Sequence, residues 1–74
     1  MIVGKIISIF DVKVEVVLSN SDVNIGNILA AVDDEERKFE IVEISNTSAT
    51  CISLSNNRGL KKGTEVKLVA KDIQ

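Results

Sequence analysis

The sequence predicts an all-β fold, a small six-stranded barrel that is closed or nearly closed, and three observations carry that reading. Ten Val, ten Ile and three Thr make about a third of the 74 residues β-branched, a type that packs well on a pleated surface and loses rotamer freedom in a helix. Val12, Val14, Val16 and Leu18 recur at every second position with Lys13 and Glu15 between them, while no stretch sustains the three-and-four spacing of an amphipathic helix. Proline is absent, and the Gly, Asn, Asp and Ser that must make the turns cluster where the apolar pattern stops. Short strands joined by polar turns favour closure, because a closed barrel has none of the unpaired edges of a flat sheet.

The elements follow in order. A first strand is expected over Ile2 to Ile9, with Phe10-Asp11 as a sharp bend or bulge leading almost without a loop into a second strand from Val12 to Leu18. Ser19 to Asn24 is a polar connection to a third strand, Gly26 to Val32. The acidic run Asp33-Asp34-Glu35-Glu36 reads as a hairpin tip, with the fourth strand opening at Arg37 or Lys38. In that strand Phe39 and Ile41 share one parity but Val42 and Ile44 the other, the mark of one extra residue in a bulge. Asn46-Thr47 turns the chain into a fifth strand, Ala49 to Leu54. A long polar loop from Ser55 to Thr64 precedes a sixth, Glu65 to Val69, and Lys71 to Gln74 is expected to fray. The first strand has apolar residues on both faces (Ile2, Val3, Ile6, Ile7, Ile9), so either it is covered on both sides or its outer face meets a partner.

Counts alone exclude several functions. A chain of 74 residues is a single small domain with a thin core, burying only roughly 60% of the surface its unfolded form exposes. Nine Lys and Arg against eleven Asp and Glu give a net charge of -2, a poor match to a phosphate backbone, and two Phe are the only aromatics on which bases could stack. Neither a secretory signal nor a run of about 20 apolar residues is present, so a cytoplasmic chain without membrane insertion is expected. Histidine is absent, which removes the commonest general base and transition-metal ligand. The single cysteine, Cys51, lies in the apolar pattern of the fifth strand and reads as a small core residue rather than an exposed, activated thiol. Four consecutive carboxylates point different ways around a turn and lack the spacing of a calcium loop, so Asp33 to Glu36 reads as a solvated tip. Gly59-Leu60-Lys61-Lys62-Gly63-Thr64 combines glycines, lysines and a hydroxyl as a phosphate loop does, but Gly63 runs directly into Thr64 without the required Lys. A strand is also expected where a helix should begin. No catalytic, metal or cofactor residue is therefore assigned.

The order of segments resembles the N-terminal β-barrel shared by hexameric rotary ATPases and HerA-type translocases. Gly4-Lys5-Ile6-Ile7-Ser8-Ile9-Phe10 followed by Val12-Lys13-Val14-Glu15-Val16 looks like the opening of the F-type ATP synthase catalytic β subunit. Ile25-Gly26-Asn27-Ile28-Leu29 and Phe39-Glu40-Ile41-Val42-Glu43-Ile44 are similar to its next strands. The most specific element is Thr50-Cys51-Ile52-Ser53-Leu54 leading to Arg58-Gly59-Leu60-Lys61-Lys62-Gly63-Thr64-Glu65-Val66, similar to the family's strand, Gly-Leu-x-x-Gly turn and closing strand.

The resemblance implies a barrel over residues 1–70, with 71–74 a frayed tail or the start of a linker to a nucleotide-binding domain. It further implies a non-catalytic assembly role, copies or paralogous barrels packing side by side in a hexameric ring. ATP and Mg²⁺ would belong only to the separate domain. A free-standing adaptor barrel and an oligonucleotide-binding barrel are the alternatives. Gly4, Gly26, Gly59 and Gly63 are expected to serve turns or close approaches. Ile2, Ile6, Arg58, Lys61 and Lys62 are the candidate subunit contacts.

Overall fold

The computed structural model describes residues 1–19 and 22–70, and among them the chain is a closed antiparallel barrel. Its strands are β1 (Ile2–Phe10), β2 (Lys13–Leu18), β3 (Ile28–Ala31), β4 (Asp34–Ser45), β5 (Ser48–Ser53) and β6 (Glu65–Ala70). Around the barrel they run β1-β2-β5-β4-β3-β6, with β6 returning to β1. The expected tail, Lys71 to Gln74, lies outside the described residues.

Two tight hairpins are made by the residues best suited to them. Asp11 (φ 57°) and Asn46 (φ 56°) adopt left-handed backbone, the region that Asp and Asn tolerate best among residues with a Cβ. Each turn is two residues long, closed by the pairs Phe10↔Lys13 and Ser45↔Ser48. The first hairpin therefore turns at Asp11-Val12, not at Phe10-Asp11, and Val12 belongs to the turn. The acidic run is also displaced from its expected position. Ala31 pairs with Asp34 across a turn at Val32-Asp33, so β4 opens three or four residues early and Asp34 to Glu36 are strand residues beside a register shift. In the other direction β3 is shorter than expected, because Gly26 (φ 94°) still turns the chain.

The fourth-strand bulge lies where the parity change placed it. The register between β4 and β5 jumps from Ile41↔Cys51 to Glu43↔Thr50, leaving Val42 as the extra residue. Two further irregularities in β1, between Ile2 and Gly4 and between Ile6 and Ser8, account for its mixed faces. Val3 and Ile6 point into the core while Ile2 and Ile7 stand on the outside, partly exposed.

Phe39, Ile6, Leu29, Ile41, Val3, Val14, Val16, Val66 and Cys51 fill the barrel. Its two ends are closed by loops. Val23 packs into the core from the 22–27 segment, and Leu60 does so from the long β5–β6 loop. Gly4 allows β1 and β2 to approach closely, since a Cβ there would lie 2.2 Å from the Val17 carbonyl oxygen. Because β1 and β6 are antiparallel neighbours, the chain enters and leaves the barrel at one end. The Asp11 turn, the Val32-Asp33 turn and the β5–β6 loop cluster at the other.

Candidate functional site

The loop end is organised by Arg37, near the start of β4. Its Nη1 donates to the Asn56 carbonyl at 3.3 Å and its Nη2 to the Arg58 carbonyl at 2.5 Å, while Nε lies 3.4 Å from Asp34 Oδ2. A planar guanidinium with several fixed donors suits this simultaneous grip on loop and strand. Asn57 adds a second tie, accepting from the Ser53 hydroxyl and donating to the Asp11 carbonyl at 2.8 Å. Gly59 (φ 79°) and Gly63 (φ 88°) supply left-handed backbone on either side of the inserted Leu60. Arg58, Lys61 and Lys62 are exposed around this loop.

A hollow of about 320 Å³ lies between this loop and the β3–β4 turn, lined by Asp33, Asp34, Arg37, Gly59, Leu60, Lys61 and Thr64. It carries charges of both signs, Asp33 and Asp34 beside Arg37 and Lys61. The Leu60, Gly63 and Thr64 amides are spent on the Asn57, Ile6 and Lys61 carbonyls, two carboxylates face the space, and the loop continues into β6 instead of a helix. Among the described residues no group of three or more Asp, Glu or Cys could hold a metal ion.

On the barrel wall, Glu35 gathers two lysines. Lys67 Nζ donates to Glu35 Oε2, and Lys38 Nζ donates to the Glu35 carbonyl at 3.0 Å. The hydrogen bond from Lys67, then its charge, holds the Glu35 carboxyl below the usual carboxylate range. In the registers Ala30 stands opposite both Lys38 and Lys67, and β3 is buried along its whole length. Lysine stems can cover apolar surface while their charged heads stay in solvent. Cys51 is enclosed in the core, where burial pushes its thiol up to about 12, which keeps it protonated at neutral pH.

Individual apolar residues are exposed elsewhere on the outer wall. Ile2 is 44% exposed and Val17 38%, and both line a second hollow of about 280 Å³ with Gly4, Lys5, Leu18, Ser19 and Glu65. Ile6, expected with Ile2 as a subunit contact, is only 1% exposed and belongs to the core. The intervening irregularity between Ile2 and Gly4 puts these two even-numbered residues on opposite faces. Sequence reasoning also missed Arg37 as the organiser of the loop end. The Asp34/Arg37 pair, three residues apart in an acidic run, was its only local signal.

The molecule is a closed six-stranded barrel with a Gly-Leu-Lys-Lys-Gly loop across one end. Residues 1–69 match the family described as "ATP synthase alpha/beta family, beta-barrel domain". The chain belongs to that family. No curated protein matches it. As an ATP synthase α/β-family barrel, the chain corresponds to the non-catalytic N-terminal unit of that family. Among the described residues no helix is long and apolar enough to cross a membrane.

Proposed function

We propose that this chain is an assembly barrel, packing side by side with copies of itself or with paralogous barrels in the ring of a hexameric P-loop ATPase, of the rotary or the HerA translocase type. The observation that carries the reading is the family match over residues 1–69. Residues 1–70 are the barrel, and the ATP and Mg²⁺ of such a machine belong to a separate nucleotide-binding domain. Entry and exit of the chain at one end would leave the Arg37-held loop at the far end from that domain. The exposed Ile2, Ile7, Val17 and Val42 supply apolar contact area, and burying it in a ring would add stability that a thin core lacks. With a net charge of -2, the surface suits protein partners rather than nucleic acid. The barrel does not insert into a membrane, and the assembly is cytoplasmic.

The test is lysine-reactive cross-linking in the source cells, read with an antibody against this barrel. A ladder of products ending at six copies, or at six barrels counting paralogues, is expected. A barrel-containing chain that never links to another barrel would overturn the reading.

A further inference from the structure

The ring reading leaves open which walls meet, and resting on it, we infer that neighbouring copies contact head to tail, the Val42 bulge of one barrel seating in the Ile2/Val17 hollow of the next. Three observations converge. First, the bulge in β4 pushes Val42 out of the ladder and leaves it 41% exposed, and bulges commonly re-aim a side chain in this way. The hollow beside Ile2 and Val17 offers a concave apolar counterpart.

Second, the two features lie on opposite sides of the molecule. In the cyclic order β1-β2-β5-β4-β3-β6, β4 is three strands from β1 in either direction. One copy can therefore present the knob to one neighbour and the hollow to another, which is the heterologous contact that generates rings.

Third, the charges at the two rims complement each other. Glu40 and Glu43 flank Val42, and among the described residues neither forms an ion pair. Lys5 lines the hollow, exposed and likewise in no ion pair, although Glu65 stands opposite it in the register. Pairing Lys5 with the Glu40/Glu43 rim fixes the direction of the contact and disfavours the two self-matching alternatives, knob to knob and hollow to hollow.

The test uses the native full chain with cysteines introduced at the two sites, Val17→Cys and Val42→Cys, beside the enclosed native Cys51, oxidised under mild conditions. The double variant is expected to give a ladder of disulfide-linked copies, each single variant only monomer, and a mixture of the two singles only dimer. Products from either single variant, or none from the double, overturn the head-to-tail assignment. Charge reversal provides a second arm. Glu40→Lys with Glu43→Lys should weaken association of the barrels by about tenfold, and mixing that protein with the Lys5→Glu variant should restore it. Association indifferent to these changes overturns the assignment. The same chains are treated with the lysine-reactive cross-linker. A ladder there without cysteine products refutes only the choice of walls, whereas failure of both removes the ring as well.

Discussion

Arg37 Nη2 donates to the carbonyl oxygen of Arg58 across 21 positions of sequence, and this contact, with its companion to Asn56, holds the long β5–β6 loop over the barrel end. Backbone hydrogen bonds tie the loop's ends, Leu54 to Lys38 and Gly63 and Thr64 to Ile6, and its middle is held by this guanidinium, by Asn57 and by the inserted Leu60. Replacing Arg37 by Met keeps the stem and removes the donors. Stability should fall by about 1–2 kcal/mol. Amide hydrogen exchange should accelerate at residues 55–63 and stay unchanged in the β1–β2 hairpin. Uniform acceleration throughout the barrel would contradict a local clasp.

Gly4→Ala should be among the most damaging single-methyl additions. The new Cβ would meet the Val17 carbonyl oxygen at 2.2 Å and Val16 Cγ1 at 2.8 Å, so two paired strands must separate. A loss of about 1–3 kcal/mol is expected, readable as a lower urea midpoint with an unchanged slope.

Gly63→Ala separates backbone strain from crowding. No atom lies within 4 Å of the added Cβ, yet φ is 88°, so the cost of about 1–2 kcal/mol is conformational. Gly63→Asn should lose less, because Asn tolerates positive φ better than Ala. Equal losses for the two in thermal unfolding would contradict that account.

Glu35 should titrate below the usual carboxylate range, by virtue of Lys67. A depressed folded-state pKa contributes stability that is present above the unfolded carboxyl's ordinary pKa and is lost as pH falls through the folded value. Lys67→Met should therefore move the Glu35 carboxyl resonance midpoint upward and flatten the acid limb of the stability profile. A midpoint unmoved by the substitution would count against the pair.

Cys51 behaves oppositely with alkali. Its folded-state thiol ionises near 12 against an ordinary 9.0, so the unfolded chain releases its proton first and stability falls as pH rises from about 9 towards 12. Cys51→Ala should remove this component of the alkaline decline despite its own packing cost. A thiol reagent at neutral pH should label the wild-type chain only as fast as it unfolds.

Local chemistry made much of this fold legible. Alternation at Val14, Val16 and Leu18 marks β2 without reference to any partner, Asn46-Thr47 announces its turn through a residue that accepts left-handed backbone, and the parity break between Ile41 and Val42 discloses a bulge. The reading faltered where a residue's role depends on its cross-strand neighbours. Ile6 looked like an outer residue beside Ile2 because counting by twos assumes an unbroken strand, and β1 is not one. Asp34 to Glu36 looked like a turn because carboxylates favour exposed tips, but the Ala31↔Asp34 pair closes the hairpin earlier.

The sequence by itself determined the all-β class and the number and chain order of the strands. These follow from side-chain branching, alternation and residue identity, properties that each short segment carries alone. Only the tertiary structure decided that β2 lies beside β5, that Arg37 grips a loop 19 to 21 positions away, and that the Val42 bulge and the Ile2/Val17 hollow lie on opposite walls. Those relationships arise when the barrel closes, because closure fixes together the register, the inward parity and the neighbours of every strand.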